Sequence, residues 1–223
     1  MRVIGFTGMP GSGKSEAMEV AKARSIPVVR MGDMIWEEVE RQGLPRDAKH
    51  VGDVANAMRA SHGKDVWARR TVERVKEVAA ADGGAGGRSG AGVDRGATAR
   101  KAGRGSGTTS GVDEGKRRFA PLVLIDGIRS HEEVDTFRQE LGHDFVLVAI
   151  HTDPDHRFAR MVKRARADDS SDPGVLKARD EREMNWGIAK TIALADEMIV
   201  NDSTLDAFRA RVAALLDRVA KAG

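Results

Sequence analysis

Cysteine is absent from the 223-residue chain. That excludes disulfides, thiolate metal sites and a cysteine nucleophile. No run of about 18 apolar residues occurs, which excludes a membrane-spanning helix. The N-terminus lacks the basic, apolar and small-residue order of a signal peptide and reads as a strand, so a cytoplasmic protein is expected. His62, His131, His143, His151 and His156 fall at no metal-ligand spacing and are expected to be exposed or capping. No internal repeat is visible, and the length suits one domain, 1–223, with a full core.

The net charge of +3 is unevenly spread. Residues 82–118 hold eight Lys/Arg and four Asp/Glu, a net of +4, so the rest of the chain is slightly acidic. The basic excess therefore does not mark a nucleic-acid-binding face on the core. The same segment holds twelve glycines and almost no large apolar side chain. It cannot bury enough surface to offset its ordering entropy, and a mobile insertion at 82–118 is expected.

What is present begins at once. Val3, Ile4 and Phe6 form a short apolar run, followed by Gly8-Met9-Pro10-Gly11-Ser12-Gly13-Lys14-Ser15 and then Glu16 in a helical stretch. The octet fits G-x-x-x-x-G-K-[ST] in strand–loop–helix context, the pattern of a phosphate-binding loop. Glycines let backbone N–H groups turn inward around phosphate oxygens, and the helix start adds oriented donors and positive potential. Lys14 can reach the β- and γ-phosphates of a nucleoside triphosphate, and Ser15 offers a hydroxyl to Mg²⁺.

Downstream, apolar runs at 28–29, 122–125, 145–150 and 198–200 alternate with helical periodicity at 14–24, 33–42, 47–60, about 64–81 and beyond. Ile35, Trp36 and Val39 share one predicted helix face. Pro121 to Gly127 is a continuous apolar run ending in Asp, the signature of a strand buried on both faces. Asp153-Pro154 opens a helix through about Arg166. Residues 168–174 are a polar break, and Ser203 with Asp206 resembles a capping box before the last helix. Five strands alternating with helices give an α/β three-layer domain around a five-stranded parallel sheet with helices on both faces.

Asp126 ends a buried strand on the edge where open parallel sheets bind ligands, and is expected to organise Mg²⁺ with Ser15. Gly127 stands where many triphosphate-hydrolysing motors carry a water-orienting Glu, which favours transfer to a bound acceptor. Asn201-Asp202 lacks the lysine of a guanine-reading motif, which argues against a GTPase switch. Asp33, after the second strand, is the candidate base or acceptor-orienting carboxylate. Arg129, three residues beyond Asp126, is the candidate acceptor ligand. Arg157, Arg160, Lys163, Arg164 and Arg166 cluster on one helix, with Arg179 and Arg182 after the polar break. Arg160, Arg164, Arg179 and Arg182 are the chosen phosphate ligands of a lid at 157–187, with acceptor-binding helices at 32–81.

Taken together, GFTGMPGSGKSEA, PVVRMGD, LVLIDGIR, RDEREMNWGIAKTIALAD and MIVNDSTLDAFRARV resemble the P-loop kinases of small nucleotides. More closely they resemble an archaeal adenylate-kinase-related family akin to dephospho-CoA kinase. The resemblance implies a nucleotide-kinase-like fold with a lid, use of ATP and Mg²⁺, and the roles already given to the loop, Asp33, Asp126, Arg129 and the lid arginines. Adenylate kinases usually carry an arginine where Trp36 stands, and only Asp126-Gly127-Ile128-Arg129 remains of their Asp-Gly-aromatic-Pro-Arg motif. Phosphorylation of a dephospho-CoA-like hydroxyl is accordingly placed ahead of nucleoside-monophosphate phosphorylation. The competing reading is a non-catalytic, ATP-dependent module that recruits RNA or protein through 82–118. The acceptor, the preferred nucleotide base and the oligomeric state are left open.

Overall fold

The computed structural model describes residues 1–84, 122–164 and 172–222, so most of the expected insertion and the core of the polar break lie outside the described residues. Five parallel strands form one sheet in the order β2-β3-β1-β4-β5. They are β1 (Arg2–Thr7), β2 (Val28–Arg30), β3 (Leu122–Asp126), β4 (Phe145–His151) and β5 (Glu197–Val200). The order places β1 in the middle, with β2 and β3 on one side and β4 and β5 on the other. The chain crosses over at β1, so the C-terminal end of that strand faces the crevice where such sheets take ligands.

Side-chain alternation within the strands builds two cores. Val3, Val123, Ile125, Phe145 and Leu147 point to one face, under α2 (Met31–Arg41), α3 (Ala48–His62), α4 (Val66–Gly84) and α5 (His131–Leu141). Ile4, Phe6, Leu124, Val148 and Ile150 point to the other, under α1 (Lys14–Lys22) and α9 (Leu205–Lys221). Both faces are apolar, which is why the strands read as unbroken apolar runs. Three further helices stand near the ligand edge: α6 (Pro154–Arg164), α7 (Pro173–Asn185) and α8 (Ile188–Ala193).

Several local expectations are corrected. The buried face of α2 is Met31, Met34, Glu38 and Val39, while Ile35 and Trp36 are half-buried. Trp36 instead carries the Arg46 guanidinium 5.1 Å from its ring centre. The cap of α9 is Thr204, whose side chain accepts from the Ala207 amide, and not Ser203. Leu205, the first residue of α9, is exposed beside the cleft, while Phe208, Val212, Leu215, Leu216 and Val219 are the helix's buried residues. The helix α4 continues through residues 82–84, three residues into the segment expected to be structureless. Asp153 does open α6, with Pro154 as its first residue and its carboxylate accepting from the His156 amide at 3.0 Å.

Candidate active site

The strand β1 delivers residues 8–15 to the sheet's C-terminal edge, and α1 starts at Lys14. Gly8, Gly11 and Gly13 have φ of 145°, 78° and 115°, a region that L side chains rarely adopt. Packing imposes glycine a second time. A Cβ at Gly8 would meet the Ile150 carbonyl, at Gly11 the Arg157 carbonyl at 2.7 Å, and at Gly13 the Asn201 side-chain amide. The loop is thus wedged between β4, α6 and the end of β5 before any ligand arrives.

The loop's rear is held by hydrogen bonds from side chains. The Asn201 amide donates to the Ser12 carbonyl at 2.8 Å. The buried Thr152 hydroxyl lies 3.1 Å from that same carbonyl and 3.0 Å from the Asn201 carbonyl. Arg157, buried, donates to the Pro10 carbonyl at 3.0 Å and forms a two-pronged pair with Asp180 of α7, at 3.0 and 2.5 Å.

The loop's front is polar and under-satisfied. The Lys14 ammonium donates to the carbonyls of Gly8 and, at 3.1 Å, Met9. Burial pushes its pKa down to about 8 against the opposing pull of the Asp126 carboxylate. The Ser12 hydroxyl is buried with no hydrogen-bond partner. An ammonium resting on its own loop's carbonyls and an orphaned hydroxyl are what a polyphosphate chain would complete. The donor set fits the triphosphate, and the Ser15 hydroxyl with the Asp126 carboxylate fits a hard divalent cation.

The cleft in front of the loop has a volume of ≈ 540 Å³. A second cavity of ≈ 370 Å³ opens between α3, the start of α5 and the end of α7. Arg129 borders both. Its backbone is fixed at each end: the amide donates to Glu133 at 2.8 Å, and the carbonyl accepts from the Thr191 hydroxyl at 3.2 Å. Its guanidinium lies 3.2 Å from the buried Glu183 carboxylate and stacks over Trp186, 5.2 Å from the ring centre.

Comparison with known proteins adds the family. A family described as an AAA domain matches residues 7–92. A UPF0200 protein of Methanoculleus marisnigri is 36% identical over 219 residues, spanning 98% of this chain and 97% of its own. One from Methanothrix thermoacetophila is 37% identical over 225 residues, spanning 99% of this chain and 100% of its own. The chain belongs to the UPF0200 family. Among solved structures it is similar to shikimate kinase from Bacteroides thetaiotaomicron, with a TM-score of 0.52 at 13% identity over 97% of this chain and 98% of the other. It is also similar to TT1252 from Thermus thermophilus, with a TM-score of 0.55 at 16% identity over 97% of each chain. At such identities the shared property is the fold, and it is the three-layer, P-loop kinase-like fold expected from the sequence.

Within this UPF0200 member the predicted residues divide into two groups. Gly8 and residues 10–16 border the loop cleft, as do Asp126, Arg129, Arg160, Arg164 and Arg179. Met9 does not border the cleft but presents its carbonyl to Lys14 at 3.1 Å. Glu16 is drawn toward α9 by Arg209, which donates to it at 2.6 Å. Arg160 has turned part of its guanidinium inward, donating to the Asn201 carbonyl at 3.0 Å and the Thr152 hydroxyl at 3.3 Å. Asp33 and Arg182 are exposed, on the first turn of α2 and on α7, and border neither cavity. The end of β2 pairs with β3 at Arg30 and Asp126, so Asp33 stands at the same sheet edge as the cleft. Arg166 lies outside the described residues.

Residues that the sequence reading passed over carry much of the site. Arg157 belonged to the arginine cluster, yet it supports the loop from behind and does not face the cleft. Asn201, which lacks a guanine-reading context, secures Ser12 through its side-chain amide. Glu133 carries no signal in the sequence. It is buried, capping α5 through its own amide to the Ser130 hydroxyl and accepting the amides of Arg129 and Ser130. Burial raises its pKa despite those two bonds.

Proposed function

We propose that this protein transfers the γ-phosphoryl group of ATP to a small acceptor bound in the second cavity. The observation that carries the reading is Arg129, a guanidinium shared by the wall of the loop cleft and the wall of the neighbouring cavity. A two-substrate phosphotransferase needs such a boundary, because both reactants must meet at one point while water is kept out.

In this reading the loop amides, Ser12 and Lys14 bind the triphosphate. Ser15 and Asp126 are the residues that would hold Mg²⁺, which when bound neutralises charge shared between the β- and γ-phosphates. Arg160, Arg164 and Arg179 border the cleft and stabilise charge on the equatorial oxygens in flight. The acceptor oxygen bonds to phosphorus as the bond to the β–γ bridging oxygen breaks, and ADP leaves. A hydroxyl acceptor gives its proton to a carboxylate, the role assigned to Asp33 once the acceptor helices close over the site; a phosphate acceptor has no proton to give. Arg182 joins the phosphate ligands in the same closure, as part of the lid at 157–187.

Among acceptors, a dephospho-CoA-like hydroxyl compound stands ahead of a nucleoside monophosphate. The test is a screen for transfer from γ-labelled ATP with Mg²⁺, using dephospho-CoA and each monophosphate. Labelled product that disappears in Lys14→Ala is expected. ATP turnover unaffected by every acceptor, with partner binding lost on removing 85–118, would favour the non-catalytic module instead.

A further inference from the structure

The second cavity is not accounted for by the loop, and its lining is specific. It holds Arg59 from α3, Lys64 from the connection after it, Arg129 before α5, the acidic pair Glu132 and Glu133 from the start of α5, and Trp186 at the end of α7. Three cations against two carboxylates leave this lining one positive charge in excess. Lys64 is engaged by Glu132 at 2.9 Å. Arg59 is not engaged in that way. Among the described residues its guanidinium makes no hydrogen bond, and its nearest counter-charge is a Glu133 oxygen at 3.8 Å.

Glu133 cannot come closer to Arg59 without cost elsewhere. Its other carboxylate oxygen accepts the Arg129 and Ser130 amides at 2.8 and 3.1 Å, which anchors the group to the chain before α5. Two guanidinium groups therefore face one cavity: among the described residues Arg59 has no oxygen at hydrogen-bond distance, and Arg129 has the Glu183 carboxylate at 3.2 Å. Burial, with the positive charge of Arg129 adding to it, lowers the pKa of Arg59 in spite of Glu133. A guanidinium so placed is a strained cation that gains from a planar or tetrahedral oxyanion more than an exposed one would. Trp186 supplies a flat apolar wall, about half exposed, onto which the body of a small ligand can pack.

Resting on the phosphotransferase reading, we propose that the acceptor is a small anion, held through its carboxylate or phosphate between Arg59 and Arg129 with its body against Trp186. A cavity of ≈ 370 Å³ lies near the lower end of the range for small-molecule sites, which suits a compact acceptor or the anion-bearing end of a longer one. Arg129 then has two tasks at one position, ordering the acceptor on one side and facing the phosphate cleft on the other. Arg59 is the specificity-determining residue, since nothing else on α3 presents an unsatisfied cation to the cavity.

The experiment keeps the two sites apart. The full chain is saturated with Mg²⁺ and a non-hydrolysable ATP analogue, which occupies the loop. Inorganic phosphate, acetate and neutral ribose are then titrated in separate arms, following tryptophan fluorescence in the wild type and in Trp186→Phe, Arg59→Met and Arg59→Lys. Binding of phosphate or acetate that reports through Trp186 is expected. Its dissociation constant should weaken about tenfold or more in Arg59→Met and be partly restored in Arg59→Lys, because a two-pronged charged contact is lost and then replaced by a point charge. Saturation by phosphate alone assigns a phosphoester acceptor, and by acetate alone a carboxylic acid. Binding of neither anion, or binding unchanged in Arg59→Met, overturns the proposal, as does ribose binding in their place. Affinity for the ATP analogue, measured first, should be the same in Arg59→Met as in the wild type. Its absence in the wild type would overturn the phosphotransferase reading itself.

Discussion

The two halves of the site are stabilised in different ways. On the donor side the loop is held by backbone carbonyls: Asn201 and Thr152 reach Ser12, and Arg157 reaches Pro10. On the acceptor side the fixed points are buried carboxylates. Glu133 gathers the amides of Arg129 and Ser130, and Glu38 in α2 accepts from Arg41, Gln42 and Arg70, the last at 2.8 Å from α4. A loop pinned through its main chain is set in place before its ligand arrives. Glu38 joins α2 to α4 through charged side chains, and in the proposed reading such a joint lets the acceptor helices close. In that proposed reading, the donor half is built for position and the acceptor half for adjustment.

That contrast can be attacked first at Arg157. Replacing it with Met leaves Asp180 buried without its partner and the Pro10 carbonyl without its donor. Breaking one side of a buried pair should cost about 3–5 kcal/mol of stability. Because the same side chain carries the loop, affinity for ATP should fall as well, in denaturation and calorimetry on the same variant. Unaltered nucleotide affinity would mean that the loop keeps its shape unaided.

The counterpart on the other side is Glu38→Ala. It leaves the partly exposed Arg70 and Arg41 without their shared carboxylate and should cost about 1–2 kcal/mol, while ATP affinity stays as in the wild type. Hydrogen bonding from Arg41, then Arg70 and Gln42, holds the Glu38 pKa down to about 2 against the effect of burial. A depressed carboxylate contributes stability above its unfolded pKa and loses it as pH falls through the folded one. The wild type should therefore lose stability between about pH 4.5 and pH 2 more steeply than Glu38→Ala. Parallel acid curves would remove Glu38 from the account.

A smaller effect concerns Lys14. Its charge in the free protein is lost as pH rises through about 8. Triphosphate affinity should accordingly weaken by about tenfold between pH 7 and pH 9, and Lys14→Arg should flatten that limb. A flat wild-type profile over the same range would show that the ammonium does not titrate before binding.

The same contrast explains what could be read from the chain. The donor loop is local: eight consecutive residues with a strand before and a helix after carry both their conformation and their chemistry. The strands were legible because burial on two faces leaves no polar alternation. The sheet order has no local signal, and neither has the second cavity, which joins Arg59, Arg129 and Trp186 from three separate parts of the chain. Glu38 and Glu133 carry no signal in the sequence, since nothing near them announces that Arg70 or the amide of Arg129 folds onto them. Arg179 of α7 borders the cleft, as do Arg160 and Arg164 of the arginine helix α6. Its most buried member, Arg157, points to the loop's main chain, because only the fold brings Asp180 against it.

The most direct measurement is a calorimetric titration of the full chain with ATP and Mg²⁺, set beside Lys14→Ala. The account predicts saturable, one-to-one binding in the wild type and loss of about 3 kcal/mol or more of that affinity in the variant, the scale of a buried charge-assisted contact removed. Absence of binding in the wild type, or equal binding in both proteins, would contradict it.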